Sequence, residues 1–267
     1  MSRIETRFES LKAKGQKALV AFITAGDPDM EATQTLFKKI EEQGADLIEL
    51  GVPFSDPLAD GPVIQAASQR SLEAGTTLKK IIALVKEIRK TSQLPIILMS
   101  SFNPIYVYGE ETFVRDAVSA GVDGVIIPDL PPEEAGDFLA LADAKGLDMI
   151  MLMAPTTSEA RVRMISEKSR GFIYYISVTG TTGTRNKLSE GIKEKVESIC
   201  KVTSLPVLIG FGISGPEQAE EAIKFSDGVI VGSSIVKIIA GEESLADRVE
   251  KVGQLVSDIK RAISSSH

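Results

Sequence analysis

Eight short runs rich in Val, Ile and Leu recur along the chain, with segments of helical spacing between them. The runs are ALVAFITAG from 18, ADLIELGVPF from 45, PIILMSS from 95, GVIIPDL from 124, DMIMLMAP from 148, FIYYISV from 172, PVLIGFG from 206 and GVIVGS from 228. Nearly continuous apolarity, in place of strict alternation, marks strands covered on both faces, as in a parallel sheet wrapped by helices. Residues 30–43, 78–91, 111–120 and 133–145 supply helical periods between them. Eight such units in 267 residues predict an α/β fold, a single (β/α)8 TIM barrel occupying 1–267. An open doubly wound sheet is the alternative, because periodicity does not prove closure.

Helix boundaries follow the local chemistry of caps and prolines. Pro131 and Pro132 before Glu-Glu-Ala, Ser158 before EARVRMISEK and Pro216 before EQAEEAIKF each mark a helix start. Three helices are expected beyond the minimal barrel. An amphipathic one over 3–14 would close the barrel bottom with Ile4, Phe8 and Leu11; a second within 62–75 follows the second strand. A third, short one over 233–240 follows the eighth strand, since LADRVEKVGQLVSDIKRAI from 245 supplies the outer helix.

Composition narrows the function classes. With 43% hydrophobic and 25% charged residues, the chain can bury a sizeable core. No apolar run reaches the ~18 residues of a membrane span, and MSRIETRFESLKAKGQ lacks a signal core, so a cytoplasmic chain with no membrane partner is expected. Cys200 and His267 are the single residues of their types, which excludes an internal disulfide and leaves no metal cage beyond a few carboxylates. A net charge of -7 without a Lys/Arg block argues against nucleic acid. A phosphate would have to be held by backbone amides.

The segment LIELGVPFSDPLADGP, 47–62, puts Glu49 inside an apolar strand and Asp56 and Asp60 on the loop after it. Among Leu47, Ile48, Leu50 and Val52, desolvation would raise the Glu49 pKa into the range of a proton-transfer group. A structural ion pair with Lys or Arg is the other reading. Barrel active sites lie on the loops after the strands, where Asp27, Asn103, Asp129, Gly210, Gly212 and 232–234 also fall. Such residues end strands for local reasons as well. The small residues of GFGISGPEQ and GSSIVKI predict a phosphate held near Gly183, Gly212, Gly232, Ser233 and Ser234, with tight rim packing as the alternative. The loop VTGTTGTRNKLSEG from 178 reads as a lid carrying Thr182, or as a passive surface loop. Expected apolar walls are Phe22, Leu50, Ile64, Met99, Phe102, Leu130, Met153, Tyr174, Phe211 and Ile213.

With these residues assembled, the chain resembles the tryptophan synthase alpha subunit family almost end to end. LIELGVPFSDPLADG carries the resemblance, supported by FITAGDPD, NPI, SVTGTTG, GFGIS and VGSSIVK. It implies a lyase cleaving indole-3-glycerol phosphate to indole and glyceraldehyde 3-phosphate. It also implies a beta subunit that consumes the indole, an alpha2beta2 heterotetramer, and pyridoxal phosphate held by the beta chain alone, with no cofactor and no metal in this chain. By position, Glu49 becomes the general acid–base and Asp60 the partner of the indole N–H, ionised on its loop. Phe22, Ile64, Tyr174 and Phe211 become substrate contacts, and Thr182 the lid residue. Gly183, Gly212, Gly232, Ser233 and Ser234 become the phosphate cradle, and Pro53, Asp56, Asn103 and Asp129 the partner interface. Ser101 and Phe102 replace a tyrosine pair found in many relatives, which changes the lining of the indole pocket. Three competitors stay open: a stand-alone lyase releasing free indole, a silent allosteric barrel, and an isomerase or epimerase of another phosphorylated sugar.

Overall fold

In the computed structural model the eight runs form eight strands, hydrogen-bonded in sequence order and closed into a barrel. Residues 1–57, 60–176, 185–210 and 212–264 are described, with the backbone alone for 185–190. The chain runs α1 (Arg3–Ala13), β1 (Ala18–Thr24), α2 (Met30–Glu42), β2 (Leu47–Gly51), α3 (Pro62–Glu73), α4 (Leu78–Ile88), β3 (Ile96–Met99), α5 (Phe102–Tyr108), α6 (Glu110–Ala120) and β4 (Gly124–Ile126). It continues α7 (Gly136–Lys145), β5 (Asp148–Met153), α8 (Glu159–Lys168), β6 (Ile173–Ile176), α9 (Arg185–Cys200), β7 (Val207–Gly210), α10 (Pro216–Ala222), β8 (Gly228–Val231), α11 (Ser233–Ile239) and α12 (Leu245–Ser264). Parallel pairing of β1 with β8, from Ala18↔Gly228 to Ala21↔Val231, removes the open-sheet alternative.

Successive side chains of a strand point to opposite faces, and this parity divides the core in two. Val20, Leu47, Ile97, Ile126, Ile150, Tyr174, Leu208 and Ile230 pack inside the barrel. Their neighbours Leu19, Ile48, Leu98, Val125, Met149, Ile173, Val207 and Val229 join the shell between strands and helices.

The N-terminal helix closes the bottom as its spacing predicts. Ser2 and Glu5 form a capping box on α1, and Ile4, Phe8 and Leu11 join the inner cluster. The Phe8 ring lies 5.8 Å from that of Phe172. Gly124 leaves the space this needs: a Cβ there would stand 3.0 Å from Ile4 Cδ1 and 2.6 Å from Ile150 Cδ1. Side-chain bonds tether the helix: Ser2 Oγ donates to Asp148 Oδ2 at 2.6 Å, Arg3 Nη1 to Asp123 Oδ1 at 2.9 Å and Arg3 Nε to Gln93 Oε1 at 3.0 Å. The expected insertion after β2 is α3, and the short helix after β8 is α11.

Three local expectations need correction. The helix expected from 133 begins at Gly136, because residues 131–135 close a separate turn in which the Pro131 carbonyl accepts from both Glu134 and Ala135. The Pro132 carbonyl, which would otherwise help start the helix, accepts from Lys168 Nζ. Asn103 and Pro104 belong to the first turn of α5, where the missing proline N–H has no helical partner to lose. Its cap is distant in sequence: Asp129 Oδ1 accepts from the Phe102 N–H at 2.8 Å, while Ser101 makes no side-chain cap. Residues 185–191 of the expected lid are helical, at the start of α9.

Closure of the bottom by α1 makes its aromatic plug a stability element remote from the strand C-termini. Phe8→Ala is expected to cost ~3–5 kcal/mol, read from the shift of the denaturant midpoint at unchanged slope.

Candidate active site

The C-terminal ends of the strands open into a cleft with two lobes. The larger, ≈ 370 Å³, meets Thr24, Gly51, Val52, Asp56, Ser68, Ser100 and Asp129. The smaller, ≈ 90 Å³, meets Tyr174, Gly212, Ile213, Ile230, Gly232 and Ser233. Phe22, Asp60, Ile64 and Met99 border both and join them. The inserted α3 forms the roof, with Val63, Ile64 and Ala67 packed on Phe22. A fork onto a buried carboxylate fastens that roof: Arg70 Nε and Nη2 donate to Asp27 Oδ1 and Oδ2 at 2.8 and 2.7 Å, and Ser71 Oγ donates to the Ala25 carbonyl at 2.6 Å. Asp27 therefore serves structure.

Glu49 points inward from β2, opposite Phe22 on β1 and Ile97 on β3. It is 0% exposed, and neither carboxyl oxygen has a hydrogen-bond partner among the described residues. The structural ion-pair reading therefore fails. Burial first, and the charge of Asp60 second, push its pKa from 4.5 to about 8. Burial raises Asp60 as well, in contrast to the ordinary loop carboxylate expected from its position. The Tyr174 phenol lies well above its usual range, through burial and then the nearness of Glu49 and Asp60. Glu49 and Tyr174 thus both feel the charge of Asp60. Glu49 sits beneath the cleft and borders neither lobe.

Two glycines shape the aromatic lining. A Cβ on Gly51 would come within 2.6 Å of Phe22 Cζ, and one on Gly210 within 2.3 Å of Tyr174 Cε1. At the other end of the small lobe, Gly212 holds φ +79, a left-handed conformation in which an L side chain is strained. Gly232 precedes α11 and Ser233 opens it, both on the lobe. Ser234 Oγ reaches instead toward the Ile213 carbonyl, 3.5 Å away, bridging the two loops. Thr182, Gly183 and Phe211 lie outside the described residues.

Of the apolar walls expected from the sequence, Phe22, Ile64, Met99, Tyr174 and Ile213 line the cleft. Leu50 and Met153 have the opposite strand parity and sit in the outer shell, against which Phe102 and Leu130 also pack. Phe102 meets Phe138 edge-on, so Ser100 and Ser101 line the cleft in its place. Pro53 is buried, while Asp56, Asn103 and Asp129 are exposed. Asp56 and Asp129 share the large lobe, and Asn103 follows the residue that Asp129 caps. Position in the strands alone did not single out Thr24, Ser68 and Ser100. Their available signal was a hydroxyl on the inward face at a strand end or on the roof helix. Among the described residues, no group of three or more His, Cys, Asp or Glu converges, and no helix is long and apolar enough to cross a membrane.

Comparison with known proteins adds an independent line. The sequence profile of the family described as tryptophan synthase alpha chain matches residues 8–264. The tryptophan synthase alpha chain of Geotalea uraniireducens is 52% identical over 266 residues, covering 99% of each chain. That of Geobacter sulfurreducens is 50% identical over 265 residues, 99% of this chain and 100% of the relative. The crystal structure of tryptophan synthase subunit alpha from Legionella pneumophila superposes with a TM-score of 0.92 at 40% identity, covering 98% of each chain.

The buried carboxyl makes stability depend on pH. Folded Glu49 keeps its proton up to about pH 8, whereas its ordinary value is 4.5. The folded state therefore binds more protons between those values, and stability falls as pH rises through the window by at most ~1.4 kcal/mol per pH unit from this group. Glu49→Gln is expected to flatten the dependence of Tm on pH between about 5 and 8 and to gain most at the alkaline end. Thermal melts of both proteins across that range check this, and parallel curves would contradict it.

Proposed function

The chain belongs to the tryptophan synthase alpha chain family, whose lyase reaction cleaves indole-3-glycerol phosphate, and we propose that Glu49 and Asp60 carry out that cleavage. The observation that bears most weight is the Glu49 carboxyl: fully buried, unpaired among the described residues and raised to about 8 beside Asp60. A carboxyl that is neutral at pH 7 can give up a proton, and its conjugate base can then take one back.

The retro-aldol step requires both roles. Protonation of indole C3 by Glu49 breaks the ring's aromaticity and leaves a cation spread onto the ring nitrogen. Asp60, as carboxylate, accepts the N–H and stabilises that charge. The Glu49 carboxylate then removes the proton from the hydroxyl on the carbon attached to C3. The C–C bond breaks, its electrons restore the indole, and the carbonyl of glyceraldehyde 3-phosphate forms. Phe22, Ile64, Tyr174 and Phe211 hold the ring and side chain. The phosphate occupies the small-lobe end, on amides near Gly183, Gly212, Gly232, Ser233 and Ser234, and Thr182 contributes from the sixth loop.

The beta subunit is the partner of a chain with this role. In our reading it docks on the rim formed by Pro53, Asp56, Asn103 and Asp129, completes an alpha2beta2 heterotetramer, and alone holds the pyridoxal phosphate. The alpha chain acts as one barrel domain over 1–267, in the cytoplasm, without a cofactor or metal of its own.

Indole release from indole-3-glycerol phosphate, with and without a beta subunit, tests this reading. Weak turnover that rises with the partner is expected, with a loss of about 10²–10⁴-fold in Glu49→Gln. Retention of turnover in that variant would remove Glu49 from the chemistry. Turnover indifferent to the partner would instead favour a stand-alone lyase.

A further inference from the structure

Thr24, the last residue of β1, is 2% exposed, and its Oγ1 is buried with no hydrogen-bond partner among the described residues. A hydroxyl left in this state costs stability that an isosteric valine would avoid. Parity places it on the inward face with Phe22, one step of ~6.6 Å nearer the mouth. It lines the large lobe and not the lobe bounded by Gly212, Gly232 and Ser233. The lobe it lines lies on the side away from the phosphate loops.

Asp60 borders the same lobe, and its carboxylate makes no hydrogen bond or ion pair among the described residues; only its main chain is engaged, the carbonyl by Gln65 and the N–H by Pro57. Among the described residues the titratable groups around it are all acids: Glu49 below, Tyr174 across the barrel, and Asp56 and Asp129 on the rim. No Lys or Arg lines either lobe among the described residues. A carboxylate in such company is held ionised by hydrogen-bond donors or not at all, and an ionised carboxylate has about four acceptor sites to fill.

We propose that when substrate fills the cleft the Thr24 hydroxyl donates to the Asp60 carboxylate and keeps it ionised and aimed at the indole N–H. Thr24 is then a positioning residue. The inference rests on the reading that Asp60 accepts that N–H, and the ring's own N–H takes the carboxylate oxygen that Thr24 leaves open.

The test compares wild type, Thr24→Val, Thr24→Ser and Asp60→Asn in complex with the beta subunit, following indole release from indole-3-glycerol phosphate across pH 5 to 9 alongside thermal melts. Thr24→Val should melt at or above the wild-type temperature yet lose about tenfold in kcat/KM. Its acidic limb should move up by about half to one pH unit. Thr24→Ser should restore both readouts, and Thr24→Val should add nothing in an Asp60→Asn background. Thr24→Ala, which empties the site instead of filling it with a methyl, repeats the measurement should the valine variant fail to fold. An unmoved acidic limb, or equal losses in the valine and serine variants, would overturn the proposal as a packing effect. Full activity of Asp60→Asn would instead remove the reading of Asp60 itself, so the two failures are separable.

Discussion

Closure of the sheet by β1 and β8 is the constraint from which the rest of the molecule follows. Once the barrel is closed, each strand has one face inward and one outward, and every inward position must be filled or satisfied. From bottom to middle the filling is aliphatic and aromatic, sealed by Ile4, Phe8 and Leu11 of α1. At the mouth of β2 the inward position is Glu49, which satisfies neither demand.

The two ends of the barrel treat buried carboxylates in opposite ways. At the bottom Asp123 accepts from Arg3, Arg89 and the Ile96 N–H, and Asp46 accepts from Lys260 Nζ and the Leu19 N–H. Asp148 takes the Ser2 hydroxyl, although burial still holds it near 6. These charges are matched by donors, the condition under which a buried ion is tolerable. At the top, among the described residues, Glu49 and Asp60 lack cations, and Thr24 has a hydroxyl without an acceptor. Polar groups left unmatched where the strands end are available to a ligand.

Much of this organisation was readable along the chain. All eight strands, the three added helices and the caps at Ser158 and Pro216 follow from apolar period and from the chemistry of caps and prolines. Glu49 stood out because a carboxylate in an apolar run is costly, and it does prove buried and raised in pKa, whereas Asp60, expected as an ordinary loop carboxylate, is half-buried and raised as well. The misses have a common cause. The start of α5 depends on Asp129, 27 residues away, and the late start of α7 involves Lys168 from another helix. Leu50 and Met153 look as apolar as Leu47 and Met99, yet face the other way.

Sequence by itself determined the element order and the presence of a carboxylate among aliphatics, since these depend on neighbours within a few residues. Tertiary structure alone decided that Glu49 has no ion-pair partner among the described residues, that Arg70 pins the roof to Asp27, and that Thr24 and Asp60 share one lobe. Those are relations between segments up to tens of residues apart. They exist only after closure has set the distances, because pairing and desolvation depend on what surrounds a group in space.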